Sequence, residues 1–409
     1  MRFVFTPPAD HAAGLLTLPW SEPLADWRDE RLVEIRQRGI SRHVVRFVYD
    51  DGTLYALKEL SERLARREYR LLRALAELGI PAVEVIGVAV DRDGPGQGGL
   101  DAVLVTKFLS YATTYRAVFS NPRGLQPTDG LLDALVGLLV RLHLSGFFWG
   151  DCSLSNTLFR HDAGTLEAYL VDAETSEQHP ELTDGQRQYD LELAVERVSG
   201  EVLDLQVGGL LPADADPLEI AERLRKRYES LWAELTREEI LRPDEQRYKI
   251  AERLARLNEL GFDADEVELV STGEGNKLRL KTRVAETGHY ARKLFLRTGI
   301  GAGENQARRL LNDMAAFRGW LEQKQGRPVS EVVAANRWLE EVYNPVIGAI
   351  PEDLRDRLPP AEVFSEVLEH RRYMSEAAGR DVGTTAATRD YLKRVLPAVP
   401  APLDATTAA

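Results

Sequence analysis

The chain has 409 residues, 44% of them hydrophobic and 29% charged. That composition belongs to a folded protein of two to three domains at roughly 150 residues each, and it excludes a disordered chain or a staple-dependent mini-protein. Lys and Arg number 52 against 65 Asp and Glu, a net charge of −13, which excludes wholesale polyanion binding and requires any phosphate or nucleic acid to meet a local basic patch.

The single cysteine, Cys152, allows neither an internal disulfide nor a Cys-based zinc site, and the expected compartment is a reducing cytoplasm. No run reaches the ~20 apolar residues of a membrane span, and Met1-Arg2-Phe3 leads into Pro7-Pro8-Ala9-Asp10 instead of the apolar core of an export signal. A strand from Leu32 to Arg36 is joined through Arg38-Gly39-Ile40-Ser41 to a hairpin, Val44 to Tyr49 and Thr53 to Leu57, whose turn is Asp51-Gly52. A helix runs from Glu62 to Leu78, closed by Gly79 with Pro81 just beyond. Strands follow at Val83 to Val90 and Ala102 to Thr106. The first hundred residues therefore form a mostly antiparallel sheet carrying one helix. Leu131 to Leu144 is apolar nearly all round, the pattern of a helix buried inside a helical lobe. A short hairpin and further helices extend to about Leu235, and Arg242-Pro243-Asp244 marks a boundary before a helix, three short strands and a helix. The chain from Ser330 is helical with Pro-rich breaks, and Pro397 onward reads as a frayed tail.

Two clusters carry chemistry. Glu68 falls on the buried stripe Leu64, Leu71, Leu75 and Leu78, and a lone buried carboxylate is costly, so it needs a partner. Lys58 shares a strand face with Leu54 and Ala56, because side chains alternate with period two. A Lys58–Glu68 ion pair would hold an amine where it can meet phosphate oxygens, while small Ala56 leaves room for a flat ring. In the second cluster Asn156 opens a strand through Phe159, the turn at Asp162-Ala163-Gly164 reverses the chain, and Ala168 to Val171 returns to Asp172. Asn156 and Asp172 converge at the open end of that hairpin, two hard oxygen ligands suited to Mg²⁺ carried in with a nucleotide. Asp151, on the loop before Asn156, can accept a proton from an attacking hydroxyl.

Leu142-His143, Gly146-Phe147 and Gly150-Asp151-Cys152-Ser153-Leu154-Ser155-Asn156 resemble the catalytic loop of the protein-kinase-like fold, especially that of bacterial small-molecule and lipopolysaccharide (Kdo/WaaP-type) kinases. Val171-Asp172-Ala173-Glu174 resembles their metal-binding Asp motif. Together with Thr175 and the distant His370-Arg371-Arg372-Tyr373-Met374-Ser375-Glu376, the chain looks like a bacterial family carrying a domain of unknown function, DUF4032. The resemblance implies an α+β chain. A two-lobed kinase-like domain would occupy residues 1–240, with lobes at about 30–108 and 109–240. A smaller α/β and helical DUF4032-type domain would fill 241–400, and a flexible tail 401–409. It also implies ATP and Mg²⁺ as cofactors. Lys58 would hold the α/β-phosphates and Glu68 anchor it, Asp151 would be the base, Asn156 and Asp172 would hold the metal, and Thr106-Lys107-Phe108-Leu109 would be the hinge that meets adenine. No Gly-x-Gly-x-x-Gly lies between the first two strands, only Gly39-Ile40-Ser41-Arg42-His43, so Ser41, Arg42 or His43 would take its place over the phosphates.

Glu174 is read as a loop acid rather than a second metal carboxylate, His143 as a core histidine bonded to backbone, and Cys152 as inert packing. In the second half, Lys277, Arg279, Lys281 and Arg283 give one strand a basic face, read as paired with the acids Asp263 to Glu268. The helix beginning Gly303-Glu304-Asn305-Gln306 lacks a lysine cluster, which argues against nucleic acid, and the loop Gly299 to Gly303 is weak as a dinucleotide signal. The expected activity is phosphoryl transfer from ATP to a hydroxyl, with a small molecule, sugar or glycolipid as acceptor. The alternatives are a nucleotide-binding regulator without turnover, whose C-terminal half binds a protein partner, and AMP transfer by the same fold.

Overall fold

The computed structural model describes residues 1–5, 9–35, 43–93, 99–120, 127–236, 239–241, 267–271, 278–282, 289–399 and 405–407. It divides into two compact units, one of Met1–Phe159, Ala168–Ala285 and Leu403–Ala409, the other of Arg160–Glu167 and Glu286–Pro402.

In the first unit, seven strands form an antiparallel sheet: β1 (Arg2–Phe5), β2 (Leu32–Ile35), β3 (Val44–Asp50), β4 (Thr53–Leu60), β5 (Val85–Val90), β6 (Ala102–Lys107) and a last strand, Ala405–Thr407. Their order is β1-β5-β6-β4-β3-β2, with Ala405–Thr407 added beside β2 where the sequence reads as frayed. Asp51 and Gly52 take φ of 43° and 77°, the left-handed pair that a two-residue hairpin turn requires, which is why an Asp-Gly dipeptide stands there. Period-two alternation then separates the two faces of β4. Tyr55 and Leu57 point into a core with Leu15, Trp20, Leu24, Trp27, Val48 and Val105, while Ala56 and Lys58 face the other way.

The chain before β2 supplies five of the twelve buried residues of that core, and nothing in its sequence periodicity announces it. Trp20 and Trp27 meet edge to face at 5.2 Å. Fully buried Arg92 pins the segment by donating to the Trp20 carbonyl at 3.1 Å and to Glu59 Oε1 at 2.6 Å. Helix α1 (Ala9–Leu16) belongs to this cover, and α2 (Glu62–Glu77) packs on β5 and β6.

The helical lobe holds α3 (Tyr115–Ser120), α4 (Pro127–Leu144), α5 (Asp184–Val207) and α6 (Pro217–Thr236). Its α4 is buried through Leu131, Leu132, Leu135, Leu138, Leu139 and Leu142, as its all-round apolar sequence predicts. The short strands Phe147–Phe148 (β7) and Glu177–Gln178 pair with each other, and β8 (Thr157–Asp162) pairs with β9 (Thr165–Leu170). The β8–β9 turn uses Ala163 at φ 54° and Gly164 at φ 84°. A three-stranded array, Glu239–Leu241, Leu278–Thr282 and Val267–Ser271, sets Lys281 opposite Glu268 in register. Lys277, Arg283, Asp263, Asp265, Glu266 and the boundary Arg242-Pro243-Asp244 lie outside the described residues.

The second unit is helical: α7 (His289–Thr298), α8 (Glu304–Gln325), α9 (Glu331–Trp338), α10 (Asn344–Gly348), α11 (Pro360–Ala378) and α12 (Thr384–Arg394). Its core centres on Trp338, which meets Phe364 edge to face at 5.4 Å and is joined by Leu310, Met314, Tyr343 and Tyr391. The glycine loop 299–303 is a helix entry and not a phosphate cradle. Asp162 occupies the α8 N-terminus, accepting from the amides of Asn305 at 3.0 Å and Gln306 at 2.8 Å. A Cβ on Gly303 would stand 2.6 Å from Asp162 Oδ1, so only glycine admits the carboxylate.

Beside it, Glu362 is fully buried, and its Oε2 accepts from the Ala163 amide at 2.8 Å and from Gln306 Nε2 at 2.7 Å. Burial first, then the charge of Glu366, pushes the Glu362 carboxyl up to about 7. The folded chain therefore holds this proton more tightly than the unfolded chain, whose carboxyl titrates near 4.5, so stability falls as pH rises between the two values and is flat above them. Glu362→Gln is expected to remove a pH-dependent loss on the order of 2–3 kcal/mol. The measurement is the urea unfolding free energy of the full chain near pH 5 and near pH 8; an unchanged difference between wild type and variant would refute it.

Candidate active site

Lys58 lies in β4 opposite Val45 of β3 and Leu104 of β6, and Glu68 comes from the second turn of α2. Their side chains meet as the period argument requires: Lys58 Nζ is 3.0 Å from Glu68 Oε2, with the carboxylate almost wholly buried. The amine also donates to Asp172 Oδ2 at 2.8 Å and lies 3.4 Å from Glu174 Oε2. Glu174 is thus part of the cluster and not a bystander loop acid. Its amide donates to Asp172 Oδ1 at 2.9 Å, which folds the two residues after Asp172 back over the site. His43, at the start of β3, closes the other side with Nε2 2.8 Å from Glu174 Oε2. Ser41 and Arg42 lie outside the described residues.

Three carboxylates surround a single amine, and oxygens of Glu68, Asp172 and Glu174 all lie within 4.8 Å of one another. The excess negative charge has the expected effect on both partners. Burial pulls Lys58 down, but Glu68 and Asp172 outweigh it, and the net shift is upward. Burial, reinforced by the charge of Asp172, pushes Glu68 up to about 7 against the pull of Lys58. Hard oxygens with surplus negative charge are the chemistry that suits a divalent ion such as Mg²⁺, but the Lys58 ammonium already stands among these three carboxylates.

The hairpin end behaves as its topology implies. The Val171 amide donates to the Asn156 carbonyl at 3.1 Å, placing Asn156 beside Asp172 across the open end. Both arms are clamped. Leu170 exchanges hydrogen bonds with Pro81 and Val83, just after α2, and Phe159 exchanges two with Thr113. Asn156 Nδ2 donates to the Asp151 carbonyl at 3.1 Å and to Asp151 Oδ2 at 3.0 Å, which leaves its amide oxygen as the group suited to a cation. Asp151 Oδ1 lies 3.3 Å from Nη2 of Arg197 on α5, a neighbour the sequence does not advertise.

The loop that carries Asp151 is built on Asp190 of α5, a fully buried carboxylate. It accepts from the amides of Trp149 at 2.6 Å and Gly150 at 2.8 Å and from His143 Nε2 at 3.0 Å. Because a carboxylate only accepts, His143 carries its proton on Nε2 and its Nδ1 accepts from the Tyr228 hydroxyl at 2.6 Å. Burial lowers the His143 pKa, with Asp190 opposing. The histidine is therefore a core group, as its sequence position suggests, but its partners are side chains and not backbone. Gly150 takes φ 77°, and a Cβ there would press on the Thr175 carbonyl at 3.1 Å, which explains the glycine before Asp151. Glu201 of α5 holds the next stretch by accepting from the amides of Leu154 and Ser155. Cys152 is buried, and burial drives its thiol pKa up, so it is inert packing.

At the expected hinge, Ala56 pairs with Thr106 across the sheet. The Lys107 amide donates to the Glu84 carbonyl and the Phe108 amide to the Leu54 carbonyl, both at 2.8 Å. An adenine at Thr106, Lys107 and Phe108 would therefore meet groups other than those two amides.

Residues 28–199 match the lipopolysaccharide kinase (Kdo/WaaP) family, and residues 230–396 match the domain of unknown function DUF4032. Among solved structures, one of WaaP in complex with acyl carrier protein is similar at 19% identity, covering 64% of this chain and 99% of that one, with a TM-score of 0.33. No curated protein matches. The chain thus carries a kinase-like Kdo/WaaP domain of mixed helix and sheet followed by a DUF4032 region, and that family supports a kinase-like phosphotransferase. No helix among the described residues is long and apolar enough to cross a membrane.

Proposed function

We propose that the chain transfers the terminal phosphoryl group of ATP to a hydroxyl of a small molecule, sugar or glycolipid. The observation that carries this reading is the convergence of Lys58, Glu68, Asp172 and Glu174 from both lobes on one amine, next to the Asp151–Asn156 pair. In this reading Lys58 holds the α/β-phosphates, Ala56 and the Thr106 to Phe108 segment frame the adenine through groups other than the Lys107 and Phe108 amides, and Asn156 and Asp172 hold Mg²⁺. The metal, when bound, would neutralise phosphate charge. Asp151, held between Asn156 and Arg197, takes the proton from the attacking hydroxyl. The rest of the rate comes from positioning and charge stabilisation.

The test has two arms. Lys58→Ala is expected to weaken ATP binding by about tenfold or more, since a charge-assisted contact to phosphate is lost. A screen of metabolites and lipids with γ-labelled ATP is expected to give a labelled product with wild type. Unchanged affinity in the first arm, or no labelled product from any acceptor in the second, would overturn the proposal.

A further inference from the structure

Arg371, Arg372 and Ser375, within the His370 to Glu376 segment of α11, have no part in the site above, yet they line an open groove of about 600 Å³ in the second unit, a ligand-sized space. From α8, Arg309, Asn312 and Asp313 present one helical face to it, at spacings of three and four residues. From α11, Glu369, Arg372 and Ser375 do the same. Two of the acidic and basic groups form fixed walls. Asp313 accepts from the indole Nε1 of core residue Trp338 at 2.7 Å. Arg371 forks onto Asp381 and reaches Thr384 Oγ1 at 3.1 Å, so all three of its nitrogens are engaged.

Arg309 and Arg372 are held differently. Both turn toward one carboxylate, Glu369, at 3.2 Å and 3.9 Å; Glu369 also accepts from the Tyr373 hydroxyl at 3.3 Å, and Arg372 further faces Glu376 at 3.8 Å and lies over the Tyr373 ring at 4.8 Å. The Arg372 side chain is 60% exposed, so its two ion pairs are long and solvent-screened, and an incoming anion can replace them; the Arg309–Glu369 contact is a 3.2 Å hydrogen bond that the anion would have to exchange. Glu369 sits between the two guanidinium groups in the position an external anion would take. Around it, Asn312 offers a neutral donor and acceptor to hydroxyl groups, Ser375 Oγ, which accepts from the Val382 amide at 3.2 Å and bonds Asp381, keeps one lone pair, and the volume exceeds that of a bare phosphate ion.

We infer that this groove is a second ligand site, independent of the nucleotide reading, for a phosphate ester of a small polyol or sugar. Its phosphate is gripped by Arg309 and Arg372 after displacing Glu369, and its hydroxyls are met by Asn312 and by the remaining lone pair of Ser375 Oγ. Two guanidinium forks suit a dianionic phosphate better than a single carboxylate does.

The experiment is calorimetric titration of the full chain with glycerol 3-phosphate, inorganic phosphate and glycerol as probes. Glycerol 3-phosphate is expected to bind saturably and with equal affinity to wild type and Lys58→Ala, which separates this site from the nucleotide site. Arg372→Ala, at an exposed position, is expected to weaken it by about tenfold or more. Glu369→Gln is expected to tighten it by about threefold or more, because the competing internal carboxylate is gone. Glycerol is expected to give no binding. No saturable binding of glycerol 3-phosphate, unchanged affinity in Arg372→Ala, or failure of Glu369→Gln to tighten binding overturns the inference. Equal affinity for inorganic phosphate overturns the polyol ester and assigns the pair of arginines to free phosphate. A loss in Lys58→Ala matching that in Arg372→Ala assigns the binding to the nucleotide site and overturns a separate one.

Discussion

Asp151→Asn is expected to lower the rate of phosphoryl transfer by about 10²–10⁴-fold while leaving ATP affinity within about twofold of wild type. The substitution keeps the shape of the side chain, so the contacts to Asn156 Nδ2 and Arg197 can be partly rebuilt, but an amide cannot take a proton from the acceptor hydroxyl. Asp172→Ala should behave differently. It removes the closest partner of Lys58 and one of the oxygens proposed to face the metal, so both nucleotide affinity and turnover should fall. The pair separates a base from a phosphate-positioning group, and equal affinity losses in the two variants would contradict the roles assigned to them. Running the same assay with label on the α-phosphate distinguishes the remaining chemistry: label in the product would establish AMP transfer. Autophosphorylation or ATP hydrolysis lost in Asp172→Ala would exclude a regulator without turnover.

Much of this constellation was legible because it rests on short-range geometry. Period-two alternation sets Lys58 and Ala56 on one face of β4, the Asp51-Gly52 turn sets the hairpin register, and the apolar stripe of α2 turns Glu68 inward. What was not legible depends on single tertiary contacts. Glu174 enters the site only because its amide is bonded to Asp172, a loop conformation that no spacing encodes. The cover formed by Trp20 and Trp27 has no periodicity and is held by side chains distant in the chain, among them buried Arg92, Arg46 and Glu59. Asp190 is as legible as Glu68. It heads the buried stripe Leu191, Ala194, Val198, Val202 and Leu205, and a carboxylate on such a stripe must have partners. In the second unit, the caps that Asp162 and Glu362 provide join groups far apart in the chain, so the glycine loop 299–303 could not be distinguished from a phosphate cradle by its own residues.

Asp190→Ala should produce the largest structural effect of any single substitution near the site. The wild-type carboxylate satisfies the buried Trp149 amide, the half-buried Gly150 amide and the buried His143 ring N–H, and alanine leaves all three without this acceptor. An unsatisfied buried donor costs about 1–3 kcal/mol, and with three sharing one cavity the total loss is roughly 3–5 kcal/mol. For a domain of this size that corresponds to a fall in Tm of about 10 °C. The Trp149 and Gly150 amides lead directly into Asp151, so the same loss should release the loop that holds the proposed base, and turnover should fall even at temperatures where the chain remains folded. His143→Gln keeps a donor toward Asp190 and leaves both amides bonded. It should cost far less stability and preserve most of the turnover. Comparable damage from the two variants would mean that the histidine, and not the carboxylate, anchors the loop.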